Sequence, residues 1–210
     1  MHPGQRLQLL AVLIAASIAP AARAGVVYNI HIDSTPVIAT TGWLDIQFNP
    51  GAVSWQDATA TIAGFSSDAT LLVSASPLSP DNFGDVSGQL PSTVTFHNTS
   101  AFNDYFQRVI FGAAFDFTLA LSGDAVDTPA PGYFSGSSLS AAFYADDQAT
   151  PLMAGPPLFQ VDILSGGGID ITNNDPVHVT IDAAGVPEPS TFWLGGCLLA
   201  VGASLKRARS

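Results

Sequence analysis

The chain has 210 residues, 47% of them hydrophobic and only 11% charged, and 17 acidic against six basic residues leave a formal net charge of −11. That balance argues against nucleic acid and anionic lipid head groups as partners, because both require basic footprints. Cys197 is the only cysteine, so a disulfide framework is excluded, as is any cysteine-based zinc pattern within residues 25–185.

Residues 1–24 read as a signal peptide. Arg6 supplies a positive start, residues 7–19 form an apolar stretch of 13, and Ala22-Arg23-Ala24 gives a small-x-small cleavage site before Gly25. Residues 25–185 are therefore expected to be exported. These 161 residues suffice for one domain with its own core. They hold all 16 aspartates and a single basic residue, Arg108, for a formal charge of −15. Such a surface favours solubility or the capture of divalent cations.

Within the exported segment the dominant period is two. Val26, Tyr28, Ile30 and Ile32 alternate with polar or smaller neighbours, and so do Leu44, Ile46 and Phe48. The same holds for Phe115, Phe117, Leu119 and Leu121, and for Val177, Val179 and Ile181. This is the pattern of strands with one buried and one wet face. Weaker strands are expected at 58–65, 70–75, 93–97, 105–111, 138–144 and 159–164. Breakers separate them: Asn49-Pro50-Gly51, Ser122-Gly123-Asp124, Gly155-Pro156-Pro157, Gly166-Gly167-Gly168 and residues 173–176. About ten short strands with turns between them predict an all-β antiparallel sandwich or jelly roll.

Candidate chemistry is sparse. No Gly-x-Ser-x-Gly elbow or His-Glu-x-x-His stretch exists, and His31, His97 and His178 each fit the wet face of a strand. Calcium is the strongest cofactor candidate. Ser165-Gly166-Gly167-Gly168-Ile169-Asp170 nearly matches one unit of a calcium-binding repeat, and Asn173, Asn174 and Asp175 add oxygens beyond it. Asp170, Asn173 and Asp175 are the ligands this reading selects, against the plainer one that Asp, Asn and Gly are ordinary turn residues. Trp43, Trp55, Tyr105, Tyr133 and Tyr144 are candidates for a sugar-stacking platform. Trp43 leads them because it is out of phase with Leu44, Ile46 and Phe48, which exposes it unless something covers that face.

The last 25 residues join three chemically different parts. Pro187 and Pro189 remove backbone donors and hold the chain around Glu188 extended. Residues 191–205 carry no charge, and Lys206, Arg207 and Arg209 follow them in the basic segment 206–210. An uncharged run with a basic end is a membrane segment whose basic end stays in the cytoplasm. As a helix it reaches about 22 Å against a hydrocarbon core of ~30 Å, a deficit that snorkelling by Lys206 and Arg207 reduces.

Val186-Pro187-Glu188-Pro189, the apolar run and Lys206-Arg207-Ala208-Arg209 resemble the PEP-CTERM sorting tail of Gram-negative surface proteins, also catalogued as the C-terminal domain of ice-binding proteins. The resemblance covers residues 186–210. It implies recognition at Pro-Glu-Pro by an exosortase, a membrane-embedded transpeptidase, and passage through an inner-membrane-anchored precursor to the cell surface or medium. Gly42-Trp43-Leu44-Asp45-Ile46-Gln47-Phe48-Asn49-Pro50-Gly51 further resembles a stretch found in one group of PEP-CTERM proteins, which implies architecture and export without an activity. Three function classes stay open. The first is a non-enzymatic envelope or matrix protein, with extracellular polysaccharide as a candidate partner. The second is a carbohydrate- or calcium-binding module, and the third a secreted hydrolase.

Overall fold

A computed structural model describes residues 25–184. Gly25 directly precedes the first strand. The remaining signal-cleavage residues, Ala22 and Ala24, lie outside the described residues, as do the sorting motif 186–189, the apolar run 191–205 and the basic cap 206–210.

The described residues are all-β with antiparallel sheets. Its strands are β1 (Val26–Asp33), β2 (Thr41–Pro50), β3 (Thr59–Ser67), β4 (Thr70–Leu71), β5 (Ser74–Ala75), β6 (Leu78–Ser79), β7 (Asp81–Phe83) and β8 (Val86–Gly88). They continue with β9 (Val94–His97), β10 (Asp104–Ile110), β11 (Ala114–Ser122), β12 (Ser137–Ala145), β13 (Phe159–Ile163), β14 (Ile169–Asn173) and β15 (Val179–Ala183). A one-turn helix α1 (Asp124–Asp127) follows β11. One sheet has the order β15-β1-β11-β3-β9-β8. The other runs β14-β13-β12-β2-β10-β4, with β7 also on β10, and β5 and β6 pair with each other.

Both sheets contribute to one buried cluster. The inward phase expected from the sequence supplies it: Leu44, Ile46, Phe48, Phe115, Phe117, Leu119 and Val179 are buried, and Ile181 packs half-buried against them. Phe115 lies on the six-stranded sheet, Phe143 on the seven-stranded one and Phe111 in the connection between β10 and β11. Their rings meet with centroids 4.7–5.9 Å apart. Such pairs add about 0.5–1.5 kcal/mol each beyond the area they bury.

The chain crosses between the sheets in residues 68–91. These leave β3, lay β4 and β7 along the free edge of β10, and return as β8 beside β9. Polar groups pin this excursion. Gln107 Nε2 lies within hydrogen-bonding distance of Leu72 O (2.8 Å), Arg108 O (2.9 Å) and Ser79 Oγ (3.0 Å). The Tyr105 hydroxyl donates to Gln107 Oε1 and accepts from Leu90 N–H, both at 3.0 Å. Burial pushes the Tyr105 hydroxyl pKa up to about 12, so it stays a donor.

Four readings are corrected by the fold. Residues 169–173 were expected to be turn, yet they form β14, because β13 offers an open edge and the register Phe159↔Asn173 to Ile163↔Ile169 fills it. Val177 is exposed and His178 sits in a turn, so the last strand begins only at Val179. The segment 70–75 divides into two two-residue strands. On β2 both phases are buried from Gly42 to Ile46, where one wet face was expected.

Candidate functional site

The buried outer phase of β2 comes from side chains on its neighbours. In the β2–β10 register Asp45 lies opposite Phe106 and Asp104 opposite Gln47, so the two aspartates are diagonal neighbours on one face. Strand β7 adds Asp81 on the far side of Phe106. Trp43 faces Arg108 and Tyr144 across its two flanking strands. Its ring stacks on Phe106 with centroids 4.5 Å apart and planes 8° from parallel. It is 1% exposed, so the expected sugar-stacking role is not available to it. Tyr105 is also buried, while Tyr133 is exposed elsewhere, so these aromatics form no shared platform.

On the same face Asp45 is 6% exposed. Gln47 Nε2 donates to its Oδ2 at 3.0 Å, and Asn49 Nδ2 in turn donates to Gln47 Oε1 at 3.2 Å. Trp43 Nε1, Asp45 Oδ1 and Asp104 Oδ1 are buried without partners. Burial raises the pKa of both carboxyls. For Asp104 the hydrogen bond and charge of Asp45, and then the charge of Asp81, add to burial and push it up to about 8. Burial, and then Asp45 and Asp104, also raise the pKa of Tyr144. Arg108 is the only Lys or Arg of the described segment. Its guanidinium is held by Asp146, Nε to Oδ1 at 2.8 Å and Nη2 to Oδ2 at 2.9 Å. A carboxyl kept protonated beside a second carboxyl is the pairing that acid–base chemistry uses. Here the burial of Asp45 leaves Asp104 as the member that solvent reaches.

A second polar site lies on the outer face of the six-stranded sheet. It is a shallow trough of about 260 Å³ lined by Asn29, His31, Gly64, Asp116, Thr118, Thr180 and Asp182, with Ile30 and Phe117 also contributing. The pairing of β3 with β11 is irregular between Asp116 and Thr118, and Gly64 there has φ +62°. A glycine at positive φ permits this bulge, and a Cβ added to it would meet only Thr118 Oγ1, at 3.8 Å. The trough is therefore open above that point. His31 Nδ1 lies 2.8 Å from Asp116 Oδ1 across the β1–β11 pair, which leaves Nε2 for a ligand. Asn29, Thr180 and Asp182 place donors and acceptors beside it, an arrangement suited to hydroxyl groups.

The residues selected for calcium are separated by β14. Asp170 pairs with Asp162 on the outer face, whereas Asn173 pairs with the buried Phe159 and so belongs to the opposite face. Asn173 Nδ2 donates to Val179 O at 2.9 Å, and its Oδ1 accepts from Asp175 N–H at 3.1 Å. Asp175 is buried, with Oδ1 2.8 Å from His178 Nδ1 and Oδ2 unpartnered. Among the described residues no three His, Cys, Asp or Glu side chains are grouped to hold a metal ion, and no helix is long and apolar enough to cross a membrane.

Sequence reasoning missed the acid pair and the trough. A signal for each was present. Trp43, a large aromatic in the supposedly wet phase, sits two residues from Asp45, and Gly64 interrupts an otherwise regular strand. No protein-family model, curated protein or solved structure matches this chain.

Proposed function

We propose that this chain is an exported, exosortase-sorted protein of the cell envelope or extracellular matrix, whose folded part acts by structure or interaction and not by catalysis. The observation that carries this reading is the division of charge. The folded segment holds one basic residue, whereas Lys206, Arg207 and Arg209 are gathered behind an uncharged run that follows Pro187-Glu188-Pro189. Export stalls when a run that prefers lipid meets charges that resist crossing. The Pro-Glu-Pro segment is then left at the outer surface of the membrane for the processing enzyme. We read the two sheets as a β-sandwich of jelly-roll type, supported by the single core to which both contribute.

The test is Glu188→Ala in a host that has the sorting enzyme. Insertion should be unchanged and an unprocessed membrane-bound form should accumulate, seen by blotting membrane and secreted fractions. Replacing Lys206, Arg207 and Arg209 by serine should instead let some chains pass through the membrane. Processing of the Glu188 variant at the wild-type rate would contradict the tail reading.

A second reading, a carbohydrate-binding module, is favoured by the trough around His31. Its polar lining matches a polyhydroxylic ligand. Under it, glycans retained by the protein on an array should be lost in His31→Ala, and an unchanged array pattern would remove the trough from consideration. Calcium at Asp170, Asn173 and Asp175 rests on residue chemistry alone.

A further inference from the structure

We infer that Asp45 and Asp104 share one proton that fastens β2 to β10, making this face of the seven-stranded sheet a latch that alkaline conditions release. Four observations carry it. The first is placement: the two side chains are diagonal neighbours on one face of adjacent strands, Asp45 opposite Phe106 and Asp104 opposite Gln47. The second is enclosure. Asp45 is 6% exposed, and the stacked rings of Trp43 and Phe106 occupy the same face of the sheet.

The third is the census of neighbouring charges. Asp81 faces the pair from β7, Tyr144 from β12 and Arg108 from β10 itself. Gln47 and Trp43 on β2 are neutral. Arg108, the one cation, is held in a two-bond fork by Asp146. Every other titratable neighbour is negative when ionised, so a second negative charge on the pair would have no counterion. Two buried like charges without one cannot both persist.

The fourth is the pattern of orphaned atoms. Asp45 Oδ1 and Asp104 Oδ1 are both buried without partners. Two ionised carboxylates offer acceptors alone, whereas one proton between them supplies the missing donor. The bond is then an O–H of Asp104 donating to a carboxylate oxygen of Asp45. Losing the proton to base leaves two facing anions and no bond.

The direction of the pH effect follows from the burial and neighbours already described. Asp104 holds its proton in the folded chain up to about pH 8, while the unfolded chain releases it near the ordinary aspartate value of 3.8. Between those limits the folded state binds the extra proton, so this group's contribution falls as pH rises. Its stabilisation is complete below the lower limit and lost above the upper one. The half-buried Asp33 and the exposed Asp147, whose pKa values hydrogen bonds from Thr35 and Thr150 lower, act in the opposite sense and only at acid pH.

The experiment uses the full chain and two readouts. Infrared spectroscopy detects the carbonyl stretch of a protonated carboxyl, which an ionised one lacks. That band should be present at pH 7, vanish between pH 7 and 9, and be absent at pH 7 in Asp104→Asn. Melting temperature should fall from pH 5 to 9 in the wild type, and that slope should flatten in Asp104→Asn, whose amide is a permanent donor to Asp45. No protonated carboxyl at pH 7, or an equal slope in the variant, would overturn the inference. So would stabilisation of the wild type by added calcium at pH 8 that Asp104→Asn abolishes, because the pair would then hold a cation. If Asp104→Asn does not fold, Asp45→Asn serves. With no anion beside it Asp104 should release its proton at lower pH, and an unmoved infrared titration would again reject the shared proton.

Discussion

Phe115→Ala is expected to lower the stability of the domain by about 3–5 kcal/mol, the range for removing a fully buried phenylalanine ring. Phe115 is 0% exposed. Its ring touches Phe65 at 6.0 Å, Phe111 at 5.9 Å and Phe143 at 5.2 Å between centroids. Those contacts tie its own sheet to the facing one, so the cavity left behind would be bordered by both and could not collapse by moving a single strand. At about 2–4 °C per kcal/mol for a domain of this size, the melting temperature should drop by roughly 10 °C. Calorimetry or denaturant titration would measure it. A loss under about 1 kcal/mol would mean that the three rings do not bridge the sheets.

Gln107→Leu is the second large effect. Gln107 is fully buried, and its amide bonds reach the chain at Leu72, Ser79 and Tyr105. Leucine fills a similar space and satisfies none of these groups. An unpaired buried polar group costs about 1–3 kcal/mol. Leu72 O keeps its bond from Ser79 Oγ, at 2.6 Å, so the total should lie nearer about 2–4 kcal/mol than the sum over all partners. The loss should be local. Limited proteolysis is expected to cut first within residues 72–90 in the variant, while the pairing of β1 with β11 keeps its wild-type protection from hydrogen exchange. Cleavage at wild-type sites and rates would show that the network does not hold the excursion.

The strands that proved legible in the sequence are those whose two faces differ. β1 and β11 alternate cleanly because one face meets the core and the other meets water. β14 was hidden because its sequence, Ile-Asp-Ile-Thr-Asn after three glycines, carries turn chemistry; the open edge of β13 makes it a strand. The short strands β6 to β8 were hidden for a related reason. They pair with β5, β10 and β9 respectively, and nothing in two or three residues announces a distant partner. On β2 the period itself misled: Trp43 and Asp45 follow the wet phase but are buried, and Phe106 from the next strand stacks on the Trp43 ring. A cross-strand carboxylate pair arises only when two strands meet in one register. Its members, Asp45 and Asp104, stand 59 positions apart and carry no shared motif.

Among the described residues β15 is the last strand and lies at a sheet edge, with β1 its only neighbour. Its final described residue, Ala184, donates its N–H to Val27 O at 2.8 Å, so the chain leaves the fold beside the point where the fold begins. A pull on the tail directed away from that edge would load the bonds of β15 one after another, from Ala183 opposite Tyr28 to Val179 opposite Ile32, and never all together. The fold would then yield to traction at its C-terminal end by unzipping five residues, which makes β15 the mechanical weak point for any load applied there.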